Sequence, residues 1–98
     1  MYAVIFTAEL KQIDEDYHRT AAALRQLAIE KYGCLEFNAV TEGDSEIAVS
    51  LWDSEEQIQR WKQDPEHLAA QARGAKQWYA RYRVQVTRVE RDYRRPAP

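Results

Sequence analysis

The stretch Cys34-Leu35-Glu36-Phe37-Asn38-Ala39-Val40, then Thr41-Glu42-Gly43-Asp44, then Ser45-Glu46-Ile47-Ala48-Val49-Ser50-Leu51-Trp52 decides the architecture. Its outer parts read as strands, and the middle carries turn chemistry, so the stretch is a β-hairpin. In the second strand Ile47, Val49 and Leu51 alternate with Ala48, Ser50 and Trp52. Neither face is strongly polar, as expected of a strand covered on both sides.

Upstream, Tyr2 to Glu9 is another strand with two apolar faces. Asp14 to Tyr32 reads as a helix. Asp14, Glu15 and Asp16 stand where the helix dipole favours acids, Gly33 is the natural C-cap, and Tyr17, Ala21, Leu24 and Ala28 form one stripe. Downstream, Asp53 or Ser54 caps a short helix through about Gln63, with Glu56 or Gln57 completing a capping box. Asp64-Pro65 restarts the helix. Leu68, Ala72, Ala75 and Tyr79 form its expected buried stripe, and Gly74 weakens it or admits a close neighbour. Tyr82 to Tyr93 is a long final strand whose end is expected to reach onto a partner. The order is β-α-β-β-α-β: an α+β, ferredoxin-like domain with helices on one face of an antiparallel four-stranded sheet. The second apolar face needs cover, and the simplest cover is the same face of a second copy.

With 98 residues there is room for one domain, expected over 1–93, with 94–98 as a short unstructured tail. A composition that is 45% hydrophobic and 31% charged argues against disorder. The lone Cys34 cannot form an internal disulfide. No basic n-region precedes the first apolar run, and no stretch approaches a membrane span, so a cytoplasmic location and no membrane partner are expected. The net charge of -2 is uneven: residues 1–70 carry 6 basic and 14 acidic residues, and residues 71–98 carry 8 and 2. Such a split fits a nucleic-acid surface, a contact between subunits or a solvated face. The acidic, aliphatic third strand lacks the aromatics of an RNA-binding sheet, so no nucleic-acid partner is expected.

The run Trp52-Asp53-Ser54-Glu55-Glu56-Gln57-Ile58-Gln59-Arg60-Trp61-Lys62 ends a strand and opens a helix. Glu66-His67-Leu68-Ala69-Ala70-Gln71, Gly74 and Trp78-Tyr79 follow. This resembles the "W-x-S-x-E-x-x-x-x-W" and "H-x-x-A" pattern of the antibiotic-biosynthesis-monooxygenase family, of the dimeric α/β-barrel superfamily. The likeness spans roughly residues 2–93. It implies a homodimer of ferredoxin-like subunits with a cleft between helices and sheet in each. Some members oxidise aromatic polyketides or quinols with molecular oxygen and neither metal nor flavin; others degrade haem; others have no known reaction.

On this basis the expected activity is a cofactor-independent monooxygenase acting on a small aromatic or quinol-like molecule. The alternative is a non-catalytic small-molecule-binding or stress-related dimer. Trp61 stands where relatives place a cleft tryptophan, and it is also the core-facing aromatic of a short helix. His67, near a helix N-terminus, tends toward a neutral imidazole able to orient a phenol or accept its proton; it is equally an exposed first-turn histidine. These two are the catalytic candidates. Trp78, Tyr79, Tyr82, Gln71 and Arg73 are the substrate-binding candidates, although the aromatics also serve to pack helix on sheet. Trp78 and Tyr82 share a side if the helix persists. Arg73 and Arg81 offer cations for an anionic oxygen intermediate. His18 lies off the buried stripe and reads as a surface residue. No metal-ligand spacing and no glycine-rich phosphate loop is present, so no cofactor is expected. The haem-degrading members have an asparagine on the first strand and a histidine ligand in the third helix. Here Thr7 and Gln71 take those places, and glutamine is a poor haem ligand.

Overall fold

Gly43, with φ of 58°, turns the hairpin between two strands, β2 (Glu36–Glu42) and β3 (Ser45–Trp52), that pair antiparallel from Glu36↔Leu51 to Glu42↔Ser45. The positive φ is one that glycine adopts without steric cost. The computed structural model describes residues 1–97. Its elements run β1 (Tyr2–Leu10), α1 (Glu15–Tyr32), β2, β3, α2 (Glu55–Gln63), α3 (Pro65–Arg73), a π-helical turn (Gly74–Trp78) and β4 (Tyr79–Arg88). The sheet is antiparallel with order β2-β3-β1-β4. This is the ferredoxin-like α+β fold.

The helix ends follow local chemistry. Asp14 accepts the backbone N–H of Tyr17 at 2.8 Å, and Gly33, at φ 76°, closes α1 in the left-handed conformation. Ser54 and Gln57 form a reciprocal capping box on α2. Asp64 ends α2 and caps α3. Its buried carboxylate accepts the Tyr32 hydroxyl at 2.6 Å and the Glu66 N–H at 2.9 Å, with Lys31 3.5 Å away. The Tyr32 hydrogen bond leads the effects that hold this carboxyl below its ordinary range.

Two expected stripes and the last strand differ in detail. On α3, Ala70 is buried, and beyond it Gly74 and Trp78 of the π-helical turn, while Leu68 is 51% exposed and Ala72 and Ala75 face solvent. Both sets fit a helical period, one residue out of phase. The set with the larger ring at its end, Trp78, faces the sheet. The helix ends at Trp78, so Tyr79 begins β4, three residues before the expected strand start. That strand stops at Arg88 instead of Tyr93 because β1 supplies no partner beyond Tyr2↔Arg88; Val89 N–H to Met1 C=O, at 3.0 Å, is a last bond past the strand. The chain then crosses toward the opposite edge, where Arg94 meets Glu36 of β2 at 3.7 Å. Residues 89–97 carry no helix or strand, and Pro98 of the expected tail lies outside the described residues.

The core falls into two clusters. One joins Val4, Ala28, Cys34, Trp52, Ile58 and Trp61; the other joins Leu10, Tyr17 and Trp78, with Tyr79 packed against it. On α1, Tyr17 and Ala28 are buried at opposite ends, while Ala21 is exposed and Leu24 half-buried between them. The stripe is one face, but its middle spans the gap between clusters.

Gly33 provides a check on this frame. Alanine there would need a left-handed backbone, and its Cβ would sit 2.8 Å from the Gln57 side chain of the capping box. Gly33→Ala is expected to lower stability by about 1–2 kcal/mol, read as a reduced urea midpoint with unchanged slope.

Candidate active site between helices and sheet

Small side chains facing each other across the gap create a cavity of about 310 Å³. Its floor is set by strand register: Ala39 pairs with Ala48, Ala48 with Phe6, and Phe6 with Val84. Ala39, Ala48 and Ser50 leave the floor low beside Phe6, while Thr20, Ala21 and Ala22 of α1 leave the roof thin. Trp61 and His67 line it from one side, Tyr17 and Trp78 from another.

Trp61 packs on Trp52, with ring centroids 5.3 Å apart, and meets the edge of the His67 ring at 4.4 Å. His67 is half-buried, not the exposed first-turn residue that the sequence also allows. Burial, then the charge of Lys62, holds its pKa below the ordinary value, so the imidazole is neutral at neutral pH. The sequence also points to a neutral imidazole through the helix dipole; in the structure burial is the leading cause named above.

Of the residues singled out in the sequence, Trp61, His67, Gln71, Trp78 and Tyr82 line the cavity together. Gln71 donates to the Tyr82 hydroxyl at 3.2 Å. Trp78 and Tyr82 meet there from a helical turn and a strand, not along one helix. Tyr79 stands behind this wall, edge-on to Phe6 at 5.4 Å and to Tyr17 at 6.4 Å. Arg73 reaches away to Asp16 (3.0 Å) and Thr20 (3.2 Å), with its guanidinium 5.6 Å from the Trp78 ring. Arg81 is exposed and paired with Glu9 at 3.0 Å. Thr7 pairs with Ile47 and Arg83, on the sheet face opposite the cavity. His18 is exposed, as read.

Sequence reasoning missed the charged residues of this lining. Glu46 is buried on β3, and its carboxylate accepts a hydrogen bond from the Tyr17 hydroxyl of α1. Burial raises the Glu46 pKa above its ordinary 4.5, with the Tyr17 bond opposing; burial and Glu46 together push the Tyr17 phenol far up. Arg25 and Lys62 bring two cations to the cavity lining. The signal for Glu46 was present: it is in phase with Ala48, Ser50 and Trp52, hence on the helix-covered face. The cations carried no comparable signal, since a lone cation on a helix does not show which way its side chain reaches.

Among the described residues, four buried side-chain polar atoms lack a hydrogen-bond partner: Glu46 Oε2, Trp61 Nε1, His67 Nδ1 and Trp78 Nε1. All four belong to residues that line the cavity. Each such group costs about 1–3 kcal/mol when left unpaired, so their concentration around one space marks a place made for polar contact.

Gly74 holds one wall in position. A Cβ there would lie 2.6 Å from Tyr79 Cε2 and 2.9 Å from Cδ2, against a ring already packed on Phe6 and Tyr17. Gly74→Ala is expected to cost about 1–3 kcal/mol by overpacking. It should also alter the near-ultraviolet circular dichroism of the Tyr17–Trp78–Tyr79 group, with the far-ultraviolet spectrum kept.

Solved structures share this fold at low sequence identity. SnoaB, a cofactor-independent oxygenase from Streptomyces nogalater, superposes with a TM-score of 0.77 at 10% identity over 93% of this chain and 94% of its own. Rv0793 from Mycobacterium tuberculosis does so with a TM-score of 0.79 at 15% identity over 93% and 96%. The Bacillus subtilis protein YqjZ is 40% identical over 92 residues, 93% of this chain and 81% of that protein. The family model described as antibiotic biosynthesis monooxygenase matches residues 1–73, and the chain belongs to that family.

Proposed function

We propose that this protein is a cofactor-independent monooxygenase for a small aromatic or quinol-like substrate, acting as a cytoplasmic homodimer. The observation that carries the reading is the apolar cavity whose unpaired polar atoms come from Glu46, Trp61, His67 and Trp78. Apolar walls hold a ring, and a few polar groups fix its hydroxyl.

His67 and Trp61 are the residues assigned to the chemistry. His67, as a neutral imidazole, orients the substrate hydroxyl, and Trp61 walls the ring. Trp78, Tyr82 and Gln71 contact the rest of the substrate, while Tyr79 and Arg73 support Trp78 from behind. Loss of the hydroxyl proton to a base in the cavity leaves an electron-rich anion. Its activated carbon forms a C–O bond to molecular oxygen, and the resulting peroxide takes up a proton. Loss of the remaining hydrogen from that carbon breaks the O–O bond, forms the product carbonyl and releases water. The substrate supplies all four electrons, so the balance closes without a further reductant.

Oxygen uptake by metal-free protein, screened against phenols, hydroquinones and anthrones, tests this. Uptake is expected with wild type, reduced at least about tenfold in His67→Ala. Uptake unchanged in the variant keeps the reaction and removes His67 from it. No uptake on any substrate moves the assignment to a binding dimer without turnover.

The homodimer reading rests on the second face of the sheet, where Val40 is 68% and Ile47 46% exposed beside Ile5, Val49 and Leu51. Such an exposed apolar strip along the centre of the sheet, edged by Glu36 and Asn38 on one side and Arg83 and Gln85 on the other, marks an interaction surface. Light scattering after gel filtration is expected to give the mass of two copies for wild type and of one for the double variant Val40→Lys, Ile47→Lys.

A further inference from the structure

We propose that Glu46, held by Tyr17, accepts the proton of a ligand's acidic hydroxyl, so that the ligand sits in the cavity as its anion while the proton stays within the protein. The inference deepens the oxygenase reading by naming the base, and it rests on that reading for the cavity as the ligand site.

The geometry supports Glu46 over the other titratable groups. Its carboxylate has one oxygen bonded to the Tyr17 hydroxyl and the other, Oε2, buried with no partner. An oxygen so placed gains a bond when a hydroxyl approaches, and the transfer removes a charge from a buried site. Tyr17 cannot compete, because its phenol is held strongly protonated by burial and by Glu46 itself. Tyr79, the other phenol near Glu46, is held protonated in the same way. His67 is shifted toward weaker basicity, whereas Glu46 is shifted toward stronger. These shifts bring the two groups closer in basicity, and the assignment of the proton to the carboxylate rests on geometry: Oε2 is buried without a partner while the other oxygen is tied to Tyr17.

The charges around the cavity agree. Arg25 and Lys62 line it as cations, and Glu46 is its one carboxylate among the described residues. Moving a proton from ligand to Glu46 breaks the ligand O–H bond, forms an O–H bond on the carboxyl and leaves the total charge unchanged. The negative charge passes from the floor of the sheet to a ligand oxygen in reach of two cations. The ligand class is therefore a planar aromatic, or an enol, whose hydroxyl is more acidic than simple phenol.

The test uses 4-hydroxyacetophenone, whose phenolate absorbs at longer wavelength than the phenol, at neutral pH, below the phenol's own pKa. Wild type is expected to bind it as the phenolate with no net proton released to the buffer, measured calorimetrically in buffers of different ionisation enthalpy. Its affinity should stay level as the pH is lowered over the range in which Glu46 is ionised. Glu46→Gln can still accept the Tyr17 hydroxyl but cannot hold the extra proton. It is expected to bind the neutral phenol, or to release one proton per bound phenolate with affinity falling about tenfold per pH unit. If Glu46→Gln fails to fold, Tyr17→Phe serves instead: without the Tyr17 donor the carboxylate binds protons more tightly, and the level range should begin at higher pH. Wild type binding no probe, binding it only as neutral phenol, or releasing a proton as the variant does overturns the proposal. So does the same loss in His67→Gln with Glu46 intact. A bound phenolate without oxygen uptake on any substrate keeps Glu46 in this role and removes the oxygenase reading. Oxygen uptake undiminished in Glu46→Gln does the reverse.

Discussion

The hydrogen bond from Tyr17 to Glu46 ties the first turn of α1 to β3, and the layout of the interior depends on it. At the other end of α1, Tyr32 reaches Asp64 at the joint of α2 and α3. Arg73 adds a third tie, from the end of α3 back to Asp16 and Thr20. The helix is thus fixed near its ends by polar side chains and by buried Tyr17 and Ala28, while its middle bridges a space. A helix held by a continuous apolar stripe would close that space; this one keeps it open. The cost is a buried carboxyl with one unpaired oxygen, a local conflict of the kind that accumulates where function competes with stability.

Much of this frame was legible in the sequence because it rests on local chemistry. Asp14, Gly33, Ser54 with Gln57, and Asp64-Pro65 each satisfy or release backbone groups within a few residues, so the helix limits followed from reading along the chain. The two-sided apolar strands and their order then left few topologies. The phase of α3 was not legible. Leu68–Ala72–Ala75 and Ala70–Gly74–Trp78 both repeat at helical spacing, and only contact with the sheet chooses between them. The end of β4 was equally a matter of pairing: its β-branched residues run to Val89, but β1 supplies no partner past Tyr2.

The site was legible in part. Trp61, His67, Gln71, Trp78 and Tyr82 come from α2, α3, the π-helical turn and β4 and do meet around one cavity. Glu46 escaped notice because an acidic residue in a strand beside a turn reads as solvated, and its burial depends on Tyr17, 29 residues away. Arg25 and Lys62 escaped because a cation on a helix carries no sign of what lies beneath it. Periodicity placed Glu46 in phase with Ala48, Ser50 and Trp52, but it carries no trace of the Tyr17 bond, which joins residues far apart in the chain.

The thin roof over the cavity has its own consequence for traffic. Ala21 and Ala22 both line the space and stand exposed, so at the middle of α1 the cavity is bounded by small side chains that also meet solvent. The small side chains at this point belong to α1, whereas the buried carboxyl of Glu46 belongs to the strand below. Under the proposed function, ligand entry and proton transfer would therefore fall to different elements. Under that reading, a lineage could widen or narrow the range of molecules let in by exchanging alanines on the helix surface, leaving the floor and the strand pairing beneath it as they are.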